Sequence, residues 1–583
     1  MPRPMDSASR RRPRWRTWRT LCLCSALCAL AAPPVAAQQP APVGRVAHEW
    51  KPVREGDSNV VAIAVRTTLS DFPASASFSL TVPIMYAGVP DIALHTEQLS
   101  VRDARGEIAL TITDDAPNPG GFPYYRHYRA ERAVQFPLTY SYRAKAPRTS
   151  FRGPPFGLLA AYGGVSGAGA GFLVLPEISA PTTSTVHWDL TDLAPGSRAA
   201  MSLGDGDLTH LGPAADLQQS WIMAGPIGRY PATGDAPFMA TWLGTPAWEV
   251  EPEMTWAAEM YAFLGKSYGY LNPLPPYRVF VQVGTFRGGT ALASSFLGGA
   301  APRAPGAAAT GESPRQSYTH EMGHLFVGAV DAPDGISSWF SEGLNTYYTR
   351  LLPMRGGFTT VEAYGREINK DFTEYWSSPS RNLSADSIVK VGFNDNTIRH
   401  MPYVRGSLYF ADLDTKIRAF SRGRRTLDTM LRELFVARAA GTSITHDRWI
   451  AAVVRDAGPS AKDDFEHVIL LGDRTLLPSS NAFGPCFERR EVPATTISGG
   501  AQRASYEWVR IPSVPDSQSS RRNIARADSI RARVPAQERF RDRAWLHLSE
   551  CGIHASDSQG VVRSRTARRT APHRTARAPS HGQ

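Results

Sequence analysis

The residues in this chain best suited to chemistry lie in Ser317-Tyr318-Thr319-His320-Glu321-Met322-Gly323-His324-Leu325-Phe326. On a helix, His320 and His324 stand at i and i+4, so both imidazoles project from one face. Two ring nitrogens so placed can hold a divalent zinc ion, with bonds of about 2.0–2.1 Å. Glu321 follows the first histidine, where a carboxylate can accept a proton from a water activated at such a metal. A catalytic zinc takes three protein ligands and keeps one position open, so a third ligand is required further on. Glu342 meets that requirement. Trp339-Phe340-Ser341-Glu342-Gly343-Leu344-Asn345-Thr346-Tyr347-Tyr348 reads as a second helix with one acid on an otherwise apolar and aromatic face. Asp331-Ala332-Pro333-Asp334-Gly335 supplies the stop and turn between the two helices. An HExxH can arise by chance, and a lone helical glutamate is ordinarily solvated. Their order and spacing together point to one zinc per chain.

The elements around this set are read from periodicity. From Val46 to about Trp242 the period is two, the signature of strands. Phe78, Leu80 and Val82 alternate with polar residues, as do Val134, Phe136, Leu138, Tyr140 and Tyr142, and later Val186, Trp188 and Leu190. Leu99 and Val101 are expected to face Ile108, Leu110 and Ile112 across an Asp103–Gly106 hairpin. Near Pro252 the period changes. Trp256, Met260, Phe263 and Leu264 recur at helical spacing up to Gly265 or Gly269, and Tyr277–Val283 reads as a strand. Residues 297–311 are rich in Gly, Ala and Pro and are expected to form a mobile loop before the zinc helix. Beyond Glu342 the pattern is helical. Leu427, Met430, Leu431, Leu434 and Phe435 form one apolar stripe, and Trp449, Ile450, Val453 and Val454 form another, capped by Thr445 or Asp447.

Composition bounds the rest. The chain has 583 residues with 42% hydrophobic, enough for several cores. Its formal charge of +11 invites a nucleic-acid reading. The charge sits at the ends, however. Residues 1–37 hold seven Arg and one Asp, and residues 521–583 hold fourteen Arg and five acids. The stretch between them is mildly acidic, so no nucleic-acid partner is expected.

A basic segment, an apolar run from Leu21 to Ala32 and Val35-Ala36-Ala37 make residues 1–37 a cleavable signal peptide. The expected location is therefore secreted or periplasmic, with no stable membrane insertion after cleavage. Cys486 and Cys551 would then be the remaining cysteines, and in an oxidising compartment they either pair or stay free. The expected architecture is multidomain, β then α+β. An antiparallel β-sandwich domain spans 38–242 and a catalytic domain spans 243–476. An Arg-rich extension over 477–583 is expected to be partly disordered.

Over roughly residues 250–475 the chain resembles the gluzincin metallopeptidases, the glycyl aminopeptidase family foremost and the aminopeptidase N family more distantly. The resemblance rests on His320–His324, on Trp339–Gly343 with Tyr347 and Tyr348, and on Tyr403-Val404-Arg405-Gly406. It implies a thermolysin-like zinc peptidase domain with a largely helical C-terminal lobe, acting on peptides or proteins. It implies Glu321 as general base, Tyr403 as the hydroxyl that stabilises the oxyanion, and Gly288 and Gly289 as substrate-binding residues. One departure bears on specificity. Ala291 stands where these families carry a glutamate for the substrate's free amine, which leaves aminopeptidase and endopeptidase action both open, with Glu312 and Asp334 as alternative acids. Asn345 and Thr346 are candidates to orient a ligand from behind. The rival reading is a non-catalytic protein that keeps the fold to bind peptides. The intact Glu321 argues against it, because a structural zinc needs no base.

Overall fold

The computed structural model describes residues 42–514 except 57–58, 119–122, 147–155, 270–273, 286–287, 333–335, 393–394 and 494–504. The segment read as a signal peptide, Asp334, Cys551 and the basic C-terminal stretch all lie outside the described residues.

From Arg45 to Gly225 the chain is built of strands in three sheets of seven, five and four strands. Their alternating residues face one shared apolar cluster that includes Trp50, Leu80, Val82, Tyr140, Val186 and Trp188. The pairing is not wholly antiparallel. Strand Arg45–Arg54 pairs antiparallel with Val60–Ser70 but parallel with Thr182–Trp188. The expected hairpin is also shorter than its apolar pattern suggests. Thr96–Asp103 pairs with Gly106–Glu107 through two residue pairs only. Strand Leu110–Asp114 then joins a different sheet against Tyr124–Ala130, which leaves Ile112 57% exposed. Asp103 fixes this switch, accepting from the amides of Arg105 (2.9 Å) and Gln135 (3.0 Å) and pairing with Arg132 at 2.7 Å.

A mixed five-stranded sheet follows: β1 (Gly228–Tyr230), β2 (Phe238–Leu243), β3 (Tyr277–Val283), β4 (Gly288–Leu292) and β5 (Ser295–Ala300), ordered β1-β2-β3-β5-β4. It begins ahead of residue 243, inside the stretch expected to belong wholly to the β domain. Strands β2, β3 and β5 are parallel, and β4 runs antiparallel to β5 at the edge. Both faces of the sheet are covered. Val279 and Val281 pack into the helical core and Phe280 into the N-terminal one, which explains the unbroken apolar run of β3. The crossover from β2 to β3 is α1 (Val250–Tyr268), closed by Gly269 at φ 96°.

Residues 297–300, expected within a mobile loop, are instead the last four of the six residues of β5. Their small side chains reflect crowding, since a Cβ at Gly298 would lie 3.2 Å from both Phe296 and Tyr318. After the sheet come α2 (Arg315–Val327), α3 (Ser338–Gly356), α4 (Val361–Ser377), α5 (Ala385–Val391), α6 (Asn396–Arg399), α7 (Met401–Phe420), α8 (Leu427–Ala439) and α9 (His446–Ala457). The stripe residues Leu427, Met430, Leu431, Leu434, Trp449 and Val453 are buried in one core, and Thr445 provides the cap of α9. The chain stays packed beyond residue 476. Strands Phe487–Glu491 and Tyr506–Arg510 pair, Cys486 is buried, and Trp508 lies edge-on to Phe372 at 4.9 Å.

Candidate metal centre

Helix α2 carries His320, Glu321 and His324, and α3 carries Glu342. The two helices bring one ligand atom from each of His320, His324 and Glu342 within 4.8 Å of one another. His320 Nε2 is 3.1 Å from both His324 Nε2 and Glu342 Oε2, and His324 Nε2 is 3.6 Å from that oxygen. Tetrahedral ligands at zinc bond lengths stand about 3.3 Å apart. Two nitrogens and one carboxylate oxygen at these separations fit a single zinc ion. No other group of three or more such side chains occurs among the described residues.

The backbone around the triad is set by close contacts. A Cβ at Gly343 would lie 2.6 Å from the Cα of Gly406, and the reverse distance is the same. Helices α3 and α7 therefore meet backbone to backbone. This contact lets Tyr403, just ahead of Gly406, donate its hydroxyl to Glu342 while its ring stacks on His320 with centroids 5.6 Å apart. On the other side, edge strand β4 lies over Glu321. A Cβ at Gly289 would fall 2.6–2.9 Å from the Glu321 side chain. Beneath, Tyr277 Oη of β3 donates to the Glu321 carbonyl at 2.9 Å. Gly288 opens β4 at φ 101° opposite Gly299.

The electrostatics follow from burial and charge. Burial alone would raise the Glu342 carboxyl, but the facing His324 and the hydrogen bonds of His320 and Tyr403 bring it below its ordinary value. Burial, then the charge of Glu342, holds the Tyr403 hydroxyl well above the usual phenol value. The hydroxyl is thus a donor across the physiological range.

The structure brings together every ligand and catalytic residue predicted from sequence. Asn345 sits behind the site, though on a backbone atom rather than a ligand ring, donating to the His320 carbonyl at 2.7 Å. Thr346 Oγ1 is buried with no hydrogen-bond partner among the described residues and orients nothing. Tyr348 donates to Asp428 at 2.7 Å, committed away from the metal face. Ala291 is half-buried on β4, opposite Phe296. Sequence reasoning missed His400, whose ring packs on Tyr403 at 5.1 Å and whose Nδ1 lies 3.0 Å from Glu374 of α4. Its place three residues before Tyr403 on a helical run was the available signal.

No protein-family model matches this sequence, and no curated protein matches it. The fold is similar to solved structures all the same. An aminopeptidase N family protein from Idiomarina loihiensis superposes with a TM-score of 0.61 at 14% identity, covering 77% of this chain and 80% of that one. An M1 zinc metallopeptidase from Deinococcus radiodurans gives 0.48 at 17% identity, covering 75% and 96%. Yeast LTA4 hydrolase gives 0.47 at 14%, covering 75% and 69%. With the first of these the chain shares its fold, a β-rich N-terminal region followed by a helical C-terminal region.

Proposed function

We propose that this chain is an exported zinc peptidase that hydrolyses peptide bonds with an activated water. The observation that carries the reading is the convergence of a His320–His324–Glu342 ligand set, Glu321 and the Tyr403 hydroxyl on one point beside an edge strand. The fold shared with an aminopeptidase N family protein supports peptides as substrates, and the signal-like residues 1–37 support export.

Zinc, when bound, supplies Lewis-acid polarisation and a lowered water pKa. The remaining work falls to the chain. An extended peptide pairs along β4 at Gly288 and Gly289, backbone to backbone, with its scissile carbonyl towards Tyr403. Glu321, pressed under Gly289, takes the proton of the attacking water on a carboxylate oxygen and delivers it to the departing amine nitrogen. Tyr403 donates its hydroxyl hydrogen to the oxygen that gains charge, an interaction typically worth about 10²–10³ in rate. Because β4 presents Ala291 and no acid at that position, the free N-terminus is not a strict requirement, and internal bonds are also cut.

The test is a mixed peptide library incubated with the purified protein, with and without a chelator, alongside Glu321→Gln. Chelator-sensitive cleavage that Glu321→Gln abolishes while keeping its zinc is expected. Cleavage indifferent to both treatments overturns the reading. A zinc-loaded protein that binds peptides and cleaves none supports the non-catalytic rival.

A further inference from the structure

We propose that His400 and Glu374 are a positioning pair for Tyr403: Glu374 holds the His400 ring, and that ring holds the tyrosine whose hydroxyl meets the oxyanion. The inference rests on the peptidase reading above and adds two positioning residues to it.

Tyr403 needs support because of where it stands. Helix α6 ends at Arg399 and α7 begins at Met401, so His400 is the junction between them, and no side chain caps the start of α7. Tyr403 is the third residue of α7. Its amide donates to His400 O at 3.1 Å, a tight three-residue step, and Pro402 beside it has no N–H to give. Helix ends fray, and this is the end that bears the hydroxyl. That hydroxyl bonds Glu342 and, in the reaction, must also reach the oxygen that gains charge. A ring held in one place makes both contacts possible.

Among the described residues the Tyr403 ring has two aromatic neighbours. His320 lies at 5.6 Å between centroids and 20° between planes, and His400 at 5.1 Å and 34°. Both distances are within the range at which rings attract. His320 is itself placed in the ligand set, and His400 is held from α4. Its Nδ1 is 3.0 Å from Glu374 Oε1 and, facing a carboxylate, donates to it. That bond brings the Glu374 carboxyl below its ordinary value, so the acceptor is charged at neutral pH.

Glu374 stands on a well-anchored helix. Asp371, one turn earlier, receives Nε and Nη2 of Arg350 from α3 at 2.9 Å each. Phe372 and Tyr375 are buried, and Tyr375 Oη accepts from the Leu476 amide at 2.7 Å. Helix α3 also carries Glu342. Tyr403 is therefore tied to α3 twice, directly through Glu342 and indirectly through His400, Glu374 and α4. The side chains of His400 and Glu374 are 45% and 38% exposed, so their pairing adds little to the stability of the fold. Its effect is to fix the direction of a ring.

The experiment is a set of double-mutant cycles on the zinc-loaded full chain, with kcat, KM, zinc content and Tm measured for each protein. His400→Ala and Glu374→Ala are each expected to lower kcat about ten- to hundredfold, with KM, zinc and Tm close to wild type. His400→Phe keeps a ring against Tyr403 without the bond to Glu374 and should recover part of the His400→Ala loss. In the Tyr403→Phe background neither alanine should lower kcat further, because the hydroxyl that the pair serves is gone. A readout apart from turnover uses protein whose tyrosines carry ring fluorine, in which the Tyr403 signal is the one missing from Tyr403→Phe. Glu374→Ala leaves both rings in the chain and should shift or broaden that signal. Losses that persist in full in the Tyr403→Phe background, or wild-type kcat in both alanine variants, overturn the proposal while leaving the peptidase reading intact. If wild type cleaves no peptide, the peptidase reading fails, and the fluorine signal alone decides whether the pair positions Tyr403.

Discussion

The side-chain amide of Asn345 donates a 2.7 Å hydrogen bond to the backbone carbonyl of His320, so the helix bearing Glu342 grips the helix bearing both histidines. Asn345 is 1% exposed, and its Oδ1 lies 2.1 Å from where a Cβ on residue 323 would stand. The pair fixes the offset between α2 and α3 on which the ligand separations depend. Removing groups that orient metal ligands typically weakens metal affinity about 10- to 100-fold. Asn345→Ala and Gly323→Ala are each predicted to weaken zinc binding by that order, measured by chelator competition. Wild-type affinity in both variants would show that the amide merely fills space.

Tyr403 does not hold the metal, so Tyr403→Phe should retain zinc. Loss of its hydroxyl should lower kcat by about 10²–10³ with a smaller change in KM, because the lost contact strengthens only as charge develops. Zinc content by elemental analysis, together with steady-state kinetics, checks both halves. Normal turnover would remove Tyr403 from the mechanism. Tyr348 is a poor replacement, since its hydroxyl is committed to Asp428.

Gly289 tests the roof of the site. Any side chain there must displace Glu321, whose Oε1 lies 2.7 Å from where a Cβ would stand. A displacement near 1 Å can cost about 10²-fold in rate. Gly289→Ala is predicted to lose activity on that order while binding zinc as tightly as wild type. Simultaneous loss of zinc would mean that β4 supports the metal helix rather than the base.

How much of this was legible in the sequence depended on whether the chemistry forces a spacing. His320, Glu321 and His324 are bound by the helical repeat, and Glu342 by the need for a third ligand, so those residues could be read directly. Leu427 and Trp449 announced their helices because one face of each is buried. The β5 strand was hidden because crowding at Gly298 selects small residues, which mimic a loop. Strands Phe487–Glu491 and Tyr506–Arg510 were hidden because essentially Phe487 and Trp508 alone face the core. The sheet switch after Ile108 was hidden because the alternation simply continues across it.

His48 makes the N-terminal region sensitive to acid. It is fully buried, its Nδ1 lies 2.9 Å from Thr67 Oγ1, and burial lowers its pKa from 6.5 to about 3. Below pH 6.5 the unfolded chain takes up a proton that the folded chain refuses until about pH 3. Stability is therefore full above 6.5 and falls as the pH drops through this window, by about 1.4 kcal/mol per unit once well below 6.5. Between pH 7 and pH 5 wild type should lose about 2 kcal/mol more than His48→Gln in urea unfolding. Equal losses in the two proteins would mean that His48 is reached by water.

The remaining prediction concerns which bond is cut. A charge-assisted contact to a substrate's ammonium would favour a free N-terminus by about 10- to 100-fold. The residue at the matching place on β4 is Ala291, half-buried beside the apolar core and able to offer only a methyl group. Glu312 stands on the segment before α2, exposed to solvent, where water screens its charge. With Glu321 engaged on the water's proton, neither of these residues gives the amine a desolvated partner. Two peptides identical except for N-acetylation should therefore show comparable kcat/KM, and the products of the acetylated one should include internal fragments. The measurement is product mass analysis alongside initial rates. Strong preference for the free amine, with single residues released in turn, would restore strict aminopeptidase action and require an acid that reaches the site from elsewhere.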